Sequence, residues 1–383
     1  MKKRYLHSAT LLMSLLALLL VASCQQDSSG DDSRKKGSRK ISMVLGQHTY
    51  SGILVQGNRA ARRALPDNFV VYKDLLPQMA MEDTQVRAYV THDKTELFSG
   101  DFIYEMLGDE YVWSAQVPID DGDFYIYGFM PSSAINSVKI DPLDYSYSKG
   151  AQLHITDIPA VTPYDPCVIV GVKGNENATD PIANVGVKWG NFKYNAGSEG
   201  EFLYLLLDHL YSALEFRLNI DEQYSKLRKI KVKQVTLKPL NVSKSQLTVE
   251  LRHNDTGTNP MSDPVFEKTS GVGEPQVIYK PSTPEYLPVA VSSSSQTTAY
   301  DVRTVNFMAC LAPVPDNTDF IMTTTYEVYD RYDNLLRQDE TENKLTIPVL
   351  GAGEKSIIYM TVKPTYLYVL GDPDLDNPDF TVN

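Results

Sequence analysis

The sequence contains few of the residues that build enzyme active sites and metal centres. It has three cysteines, six histidines and two tryptophans among 383 residues. Three cysteines exclude a disulfide-dense scaffold and a four-cysteine zinc site. The histidines lack metal-ligand spacing, and the sequence contains no GxSxG elbow, Walker loop, HExxH or CxxC motif. We therefore expect no catalytic residue, no cofactor and no metal site, and we expect that the protein is not an enzyme.

The charge balance argues against a nucleic-acid partner. The chain has 36 basic and 48 acidic residues and a net charge of −12, and such a chain repels phosphate backbones. The basic residues are concentrated at the start, because residues 1–63 hold 11 of them and only three acidic residues. The rest of the chain has 25 basic and 45 acidic residues, a net charge of −20. A basic leader thus precedes a strongly acidic body.

Residues 1–23 have the layout of an export signal. Three basic residues at positions 2–4 precede an apolar run at 11–21, which is shorter than the roughly 20 residues of a membrane-spanning helix. The run ends in the sequence VASC, which resembles the lipobox of bacterial lipoproteins. In a lipobox the cysteine, here Cys24, is diacylated and becomes the new N-terminus, and two acyl chains suffice for stable membrane attachment. The alternative is an ordinary secretory signal followed by an incidental cysteine.

Residues 24–63 are predicted to form a tether, one or two short strands and a basic loop. The tether is polar and has no apolar periodicity, as in disordered linkers. Apolar residues then cluster at 41–45 and 50–55, followed by the segment NRAARRALP, which contains Arg59 and Arg63. This segment is typical of a flexible, protease-accessible loop. The alternative is a solvated basic loop without further role.

From residue 64 onward the sequence predicts an all-β protein. Apolar and polar residues alternate with period two, for example at 86–90, 124–129 and 214–220, and turns rich in Pro, Gly, Asn and Asp separate these segments. This pattern favours antiparallel sandwiches over α/β units. No internal repeat is present, which argues against a propeller or a solenoid.

The polar stretch at 195–200 is the best candidate for a hinge between two domains. It predicts an N-terminal β-sandwich domain at 64–198 and a C-terminal β-sandwich domain with a tail at 199–383. Residues 203–213, just after the hinge, are expected to open a strand, with a short helical turn as the alternative.

Two groups of residues in the body are candidates for chemistry. Asp208 and His209 are adjacent, but neighbouring residues of a strand point to opposite faces, so we expect His209 to be a structural polar residue. Cys167 and Cys310 are expected either to pair after export or to be two buried thiols, and the sequence leaves both alternatives open.

The acidic C-terminus matches a calcium-binding loop in part. Asp372, Asp374 and Asp376 match the first three ligand positions of a calcium loop. Asn377 then replaces the turn glycine, and the position of the bidentate glutamate falls on Asn383. We therefore expect a solvated acidic tail.

The order of these features resembles the fimbrillins of Bacteroidales, the lipoprotein precursors of type V pili. The resemblance spans the chain in layout and is weak in identity. Three stretches carry it: KISMVLGQHTYSGILVQGNRA at 40–60, LLLDHLYSALEFRLNI at 205–220 and GAGEKSIIYMTVKPTYLYVL at 351–370. It implies a structural pilus subunit built from two antiparallel Greek-key β-sandwiches of the transthyretin type, located at the outer membrane and in the fimbrium, and supporting adhesion and biofilm formation.

The resemblance also implies a mechanism of assembly. A trypsin-like or gingipain-like protease would cut after Arg59 or Arg63 and remove an N-terminal strand, and another pilin subunit would fill the resulting groove with a strand of its own. A groove with unpaired backbone groups is a template for such an addition. Pattern and family together suggest the donor strand, because Pro364 separates a strand at 357–362 from a second apolar segment. That segment consists of Tyr366, Leu367, Tyr368, Val369 and Leu370.

Other functions remain open from the sequence. A surface glycan-binding lipoprotein would share the leader and the sandwiches but would need exposed aromatic side chains, for which Trp113 and Trp189 are the only tryptophans. Within a pilus, tip and anchor roles are alternatives to the stalk. The possible donor segment after residue 362 favours a stalk subunit.

Overall fold

The alternation of apolar and polar residues produces an almost purely β structure, as the sequence predicts. The computed structural model describes residues 38–48, 51–54, 69–71, 85–107, 110–132, 135, 137–175, 187–262, 264–290, 304–314, 316–366 and 373–382. These residues contain 23 strands and a single α-helix of four residues, α1 (Glu222–Ser225). None of the helical residues described here forms a segment long and apolar enough to cross a membrane.

The largest sheet has nine strands and closes on itself. Its strands are β1 (Arg39–His48), β3 (Phe69–Val71), β4 (Val86–His92), β5 (Thr95–Leu107), β6 (Glu110–Val117), β7 (Asp123–Met130), β11 (Cys167–Asn175), β12 (Lys193–Asn195) and β13 (Phe202–His209). The order is β11-β13-β1-β6-β5-β4-β7-β12, and β3 pairs with β1. An additional pairing of β11 with β7 closes seven of these strands into a ring.

Three smaller sheets complete the fold. A six-stranded sheet contains β2 (Ser51–Leu54), β10 (Val161–Thr162), β14 (Ser212–Ile220), β19 (Val305–Leu311), β22 (Glu354–Tyr366) and β23 (Pro373–Val382). One four-stranded sheet contains β15 (Lys229–Pro239), β18 (Gln276–Tyr279), β20 (Thr318–Tyr329) and β21 (Leu335–Ile347). The other contains β8 (Ser137–Pro142), β9 (Gly150–Pro159), β16 (Lys244–Arg252) and β17 (Val265–Thr269).

Strands β7, β11 and β13 of the nine-stranded sheet are buried on both faces. Alternate side chains of β13 point to opposite sides, so that Leu203, Leu205 and Leu207 line the inside of the ring whereas Leu206 packs outward. The outward side chains form a second core with apolar residues of the β8, β9 and β16 sheet. Backbones also approach closely here, because a Cβ on Gly128 would clash with the backbone carbonyl oxygen of Arg87.

The third core lies between the six-stranded sheet and the β15, β18, β20 and β21 sheet. Phe216, Phe307 and Met360 on one side meet Ile230 and Tyr326 on the other. From Ser38 onward the chain forms one compact unit. Within it, β13 is the last strand of the nine-stranded sheet and ends at His209, and β14 of the six-stranded sheet begins at Ser212. The domain boundary at 198/199 remains a prediction.

The segment at 203–213 forms two strands, and the helical alternative is wrong. All eight residues of β13 are buried, and β14 begins three residues after β13 ends. A helix there would leave the strands on either side, β11 and β1, without their partner.

Candidate functional site: the slot of the N-terminal strand

Strand β1 lies inside the closed sheet, with a partner on each side. It runs parallel to β13, with residues Ser42–Gln47 opposite Phe202–Leu207. On its other side Arg39–Met43 run antiparallel to β6, and Gly46–His48 pair with β3. The N–H of Ser42 donates to the carbonyl oxygen of Glu201 at 3.0 Å. We call the space that β1 occupies between β13 and β6 the slot.

The side chains of β1 complete the core of the ring. Ile41, Met43 and Leu45 alternate along the strand, and each is 0% exposed. They pack with Leu203 and Leu205 of β13. Burying an aliphatic side chain contributes about 1.5–3 kcal/mol, so three of them contribute on the order of 5–9 kcal/mol. Extraction of β1 alone is therefore costly, and a replacement strand with the same alternation would recover the loss.

Charged contacts hold the exposed start of β1. Arg39 forms an ion pair with Asp121, and Lys40 forms one with Glu105 of β5. The contact with Lys40 and a hydrogen bond donated by the hydroxyl of Ser114 hold the pKa of Glu105 below its usual value. These pairs are partly exposed and contribute little compared with the apolar contacts.

The N-terminal segment continues into a second sheet. Strand β2 pairs in parallel with β22, where Ser51 lies opposite Glu354 and Leu54 lies opposite Ser356. Because β22 pairs with β14 on its other side, β2 extends the six-stranded sheet. The segment at 39–54 thus contributes one strand to each of the two larger sheets.

The predicted cleavage sites follow both strands in the sequence. β2 ends at Leu54 and β3 begins at Phe69. Arg59 and Arg63 fall between these two strands and lie outside the described residues. The predicted lipidation site, Cys24, precedes β1 and also lies outside the described residues. Cutting the chain after either arginine would break the covalent link between the segment that holds β1 and β2 and the rest of the chain. Strand β3 would remain in the larger fragment.

The predicted donor segment lies at the far end of the chain. Tyr366 is the last residue of β22, opposite Pro373 of β23. Leu367, Tyr368, Val369 and Leu370 lie outside the described residues. β23 then pairs antiparallel with β22, and its Phe380 is 0% exposed, with its ring 5.5 Å from that of Tyr326. The last strand therefore belongs to the core of its own subunit.

The structure also brings together a polar cluster that sequence reasoning missed. His209 Nδ1 lies 2.8 Å from Asp165 Oδ2 and 3.8 Å from Cys167 Sγ, and all three side chains are buried. The carboxylate of Asp208, the neighbour in sequence, accepts a hydrogen bond from the backbone N–H of His209. The sequence does place Asp165 and Cys167 two residues apart. This spacing indicates a cluster with His209 only when the pairing of β11 with β13 is known.

The remaining candidates have structural settings. Cys167 and Cys310 are both buried thiols, which is one of the two alternatives that the sequence leaves open. Asp374 and Asp376 lie within strand β23, so they cannot form the loop that a calcium site requires. Trp113 and Trp189 are 4% and 9% exposed, which leaves neither ring available for stacking on a sugar.

Comparison with solved structures finds proteins that are described as cell adhesion or fimbrial proteins. A Bacteroides fragilis protein provisionally described as a cell adhesion protein is 11% identical, with a TM-score of 0.39, over 90% of this chain and 97% of that chain. A fimbrial protein of Bacteroides vulgatus is 9% identical, with a TM-score of 0.30, over 89% and 99% of the two chains. The fimbrial anchor protein Mfa2 of Porphyromonas gingivalis is 8% identical, with a TM-score of 0.27, over 89% and 97%.

These neighbours are Bacteroidales adhesion and fimbrial proteins, in line with the fimbrillin-like family that the sequence resembles. At TM-scores of 0.39 and below, the superpositions are too loose to transfer a role to any residue of this chain. No protein-family model matches the sequence, and a search of curated proteins returns no match.

Proposed function

We propose that the protein is a structural subunit of a type V pilus, in the stalk rather than at the tip or anchor. It is exported as a lipoprotein with its acyl chains on Cys24 at the outer membrane. A trypsin-like or gingipain-like protease cuts it after Arg59 or Arg63, and it then polymerises by strand exchange at the cell surface. The resulting fimbrium supports adhesion and biofilm formation.

The position of β1 is the observation that carries this proposal. An inner strand of a closed sheet, with three fully buried apolar side chains, precedes an arginine-rich segment in which the proposed cleavage falls. Removing the strand would leave unpaired N–H and C=O groups on both β13 and β6, beside an apolar floor. Such an edge is a template for β-strand addition.

The partner is another pilin subunit, in the simplest case a second copy of this chain. The donor is the segment from Tyr366 to Leu370, with Leu367 and Val369 on one face. The two-sheet packing around Phe216 and Ile230 supports the proposal that the subunit is built from Greek-key sandwiches of the transthyretin type.

Controlled cleavage tests the proposal. The purified full chain is treated with an arginine-specific protease, then analysed by mass spectrometry and electron microscopy. We expect the N-terminal fragment to end at Arg59 or Arg63, and filaments to form only after cleavage. A variant with Arg59→Lys, Arg62→Lys and Arg63→Lys keeps the charge of the loop and should remain uncut and monomeric. Filaments from this variant, or a correctly cut wild type that stays monomeric, would contradict the proposal.

Substitutions at the donor segment separate its role from that of the core. Leu367→Asp or Val369→Asp should weaken filament formation and leave the melting temperature of the monomer unchanged. Deleting everything after Pro364 is a poorer test, because it also removes the buried ring of Phe380. Normal filaments from both aspartate variants would show that the donor lies elsewhere in the chain.

A further inference from the structure

We propose that Asp165, Cys167 and His209 form a binding site for a divalent cation of the zinc class. The carboxylate oxygen, the thiol sulfur and the imidazole nitrogen lie within 4.8 Å of one another, and all three residues are buried. In the part of the chain that the structure describes, no other group of three such ligands comes this close together. Oxygen, sulfur and nitrogen are the ligand atoms that Zn²⁺ takes from proteins.

The pairing of two strands explains why the three residues meet. Cys167, the first residue of β11, lies directly opposite His209, the last residue of β13. Residues that face each other across an antiparallel pair project from the same side of the sheet. The backbone N–H of Leu210 donates to the carbonyl oxygen of Pro166 at 2.7 Å, which fixes the chain beside Asp165.

The three ligand atoms lie within 4.8 Å of one another, so a tetrahedral centre requires the Asp165 carboxylate and Cys167 Sγ to approach each other by up to about 1 Å. Zinc bonds of about 2.0–2.3 Å give ligand-to-ligand distances of about 3.3–3.8 Å in a tetrahedron. The 3.8 Å between Cys167 Sγ and His209 Nδ1 falls at the upper end of this range. The 2.8 Å between Asp165 Oδ2 and His209 Nδ1 is a hydrogen bond, so the cation would replace its proton and the carboxylate would move by about half an ångström.

The charges of the cluster also suit a buried cation. A divalent cation with one carboxylate, one thiolate and one neutral imidazole has no net charge, and a neutral group avoids most of the cost of burial. Binding releases the thiol proton to solvent. Asp165 Oδ1 is buried as well, and it or a water molecule can take the fourth position.

The same geometry argues against a nucleophilic site. In a Cys-His-Asp relay, the thiol and the carboxylate contact opposite ring nitrogens of the histidine. Here both contact Nδ1 of His209. Convergence on one nitrogen is an arrangement for sharing a cation or a proton, and a relay through the ring is not available.

The location indicates what the cation would stabilise. Cys167 lies opposite Met130 where β11 meets β7 and the ring closes. His209 lies two residues beyond Leu207, which pairs with Gln47 of β1. A cation here would tie β11 to β13, one wall of the slot. The site stands on its own ligands and does not depend on strand exchange.

Metal analysis of the full chain tests the inference. The detergent-extracted protein is equilibrated with Zn²⁺, dialysed, and its metal content is measured by mass spectrometry; Co²⁺ then serves as a spectroscopic probe. We expect one equivalent of metal per chain and a thiolate-to-cobalt charge-transfer band. The chain has three cysteines, so a Cys24→Ser/Cys310→Ser variant leaves Cys167 as the only source of this band and should keep it.

Matched variants locate the ligands. Cys167→Ser and His209→Gln should each weaken metal binding by at least about tenfold. Cys310→Ser, at another buried thiol, and His253→Gln, at another histidine packed in the fold, should leave it unchanged. If the first two variants fail to fold, the Cys24→Ser/Cys310→Ser protein decides. A wild type without bound metal, or a cobalt complex without the thiolate band in that variant, would overturn the proposal.

Discussion

The two ends of the chain are held in the fold in different ways. At the N-terminal end, β1 is an inner strand with partners on both sides, and Ile41, Met43 and Leu45 are each 0% exposed. At the C-terminal end, β23 pairs with β22 alone among the strands that the structure describes, and Phe380 anchors it in the core. An inner strand leaves two open edges when it departs, whereas an outer strand leaves one.

This difference assigns opposite roles to the two ends in the proposed assembly. A vacated slot between β13 and β6 would have two open edges and an apolar floor, so it gains most from an incoming strand. The proposed donor at 366–370 follows directly on β22, and among the described strands β23 beyond it pairs with β22 alone. Releasing this end of the chain therefore opens one edge, which suits a donor. The comparison predicts that damage to β1 is more severe than damage to β23.

The largest effect is expected from removing two side chains of β1. Ile→Ala and Met→Ala in a core cost about 2–5 kcal/mol each, so Ile41→Ala with Met43→Ala should lower the free energy of unfolding by about 4–10 kcal/mol. Total stabilities of about 5–15 kcal/mol leave little after such a loss. Denaturant unfolding measures it, with Lys40→Ala as the exposed control. If the double variant is as stable as this control, β1 is not part of the core.

A smaller effect is expected at the other end. Phe380→Ala should lower the free energy of unfolding by about 3–5 kcal/mol, because the ring packs against Tyr326. Hydrogen exchange should show the loss in β22 and β14 while β1 stays protected. Lys363→Ala, at an exposed position of β22, is the control. A loss larger than that of the β1 double variant would reverse the comparison.

The smallest effect is expected from lowering the pH, which protonates Glu105 and weakens the binding of the N-terminal segment. Because Lys40 and Ser114 lower the pKa of Glu105, this carboxylate stabilises the bound N-terminal segment fully above its ordinary pKa of about 4.3. The contribution is lost as the pH falls through the lowered pKa of the folded state. For an exposed pair it amounts to less than about 1 kcal/mol.

Dissociation of the cut segment measures this contribution. In protein cut after Arg59 or Arg63, the N-terminal segment should leave somewhat faster at about pH 3 than at about pH 6, as followed by size-exclusion chromatography. Glu105→Gln should remove this part of the pH dependence. An unchanged pH profile in that variant would mean that Glu105 does not hold the segment.

The sequence was sufficient for the strands that alternate cleanly. The pattern at 214–220 predicted β14, and the apolar run at 41–45 lies in β1. It could not supply the pairing of β1 with β13, because partners about 160 residues apart leave no mark on local periodicity. The sequence pattern also did not separate β13 from β14. Leu210 and Tyr211 between the two strands are both buried, so the apolar pattern continues where the chain passes from one sheet to the other.

The candidate sites show the same limit. Rejecting Asp208 as a partner for the ring of His209 followed correctly from strand geometry. The actual partner, Asp165, is 44 residues upstream, and only the pairing of β11 with β13 brings it close. Chemistry that depends on cross-strand neighbours needs the register, which turn lengths and side-chain packing set together.

The most direct test of the central claim locks β1 in the slot. Ser42 lies opposite Ser114 of β6, and its N–H is directed to Glu201 on the other side. The two serines therefore form a non-hydrogen-bonded pair, with Cα atoms about 4.5 Å apart, which suits a disulfide. Filament formation is measured for cleaved Ser42→Cys/Ser114→Cys protein before and after reduction, with the single variants as controls. The account predicts filaments only after reduction; filaments from the oxidised protein at the wild-type rate would contradict it.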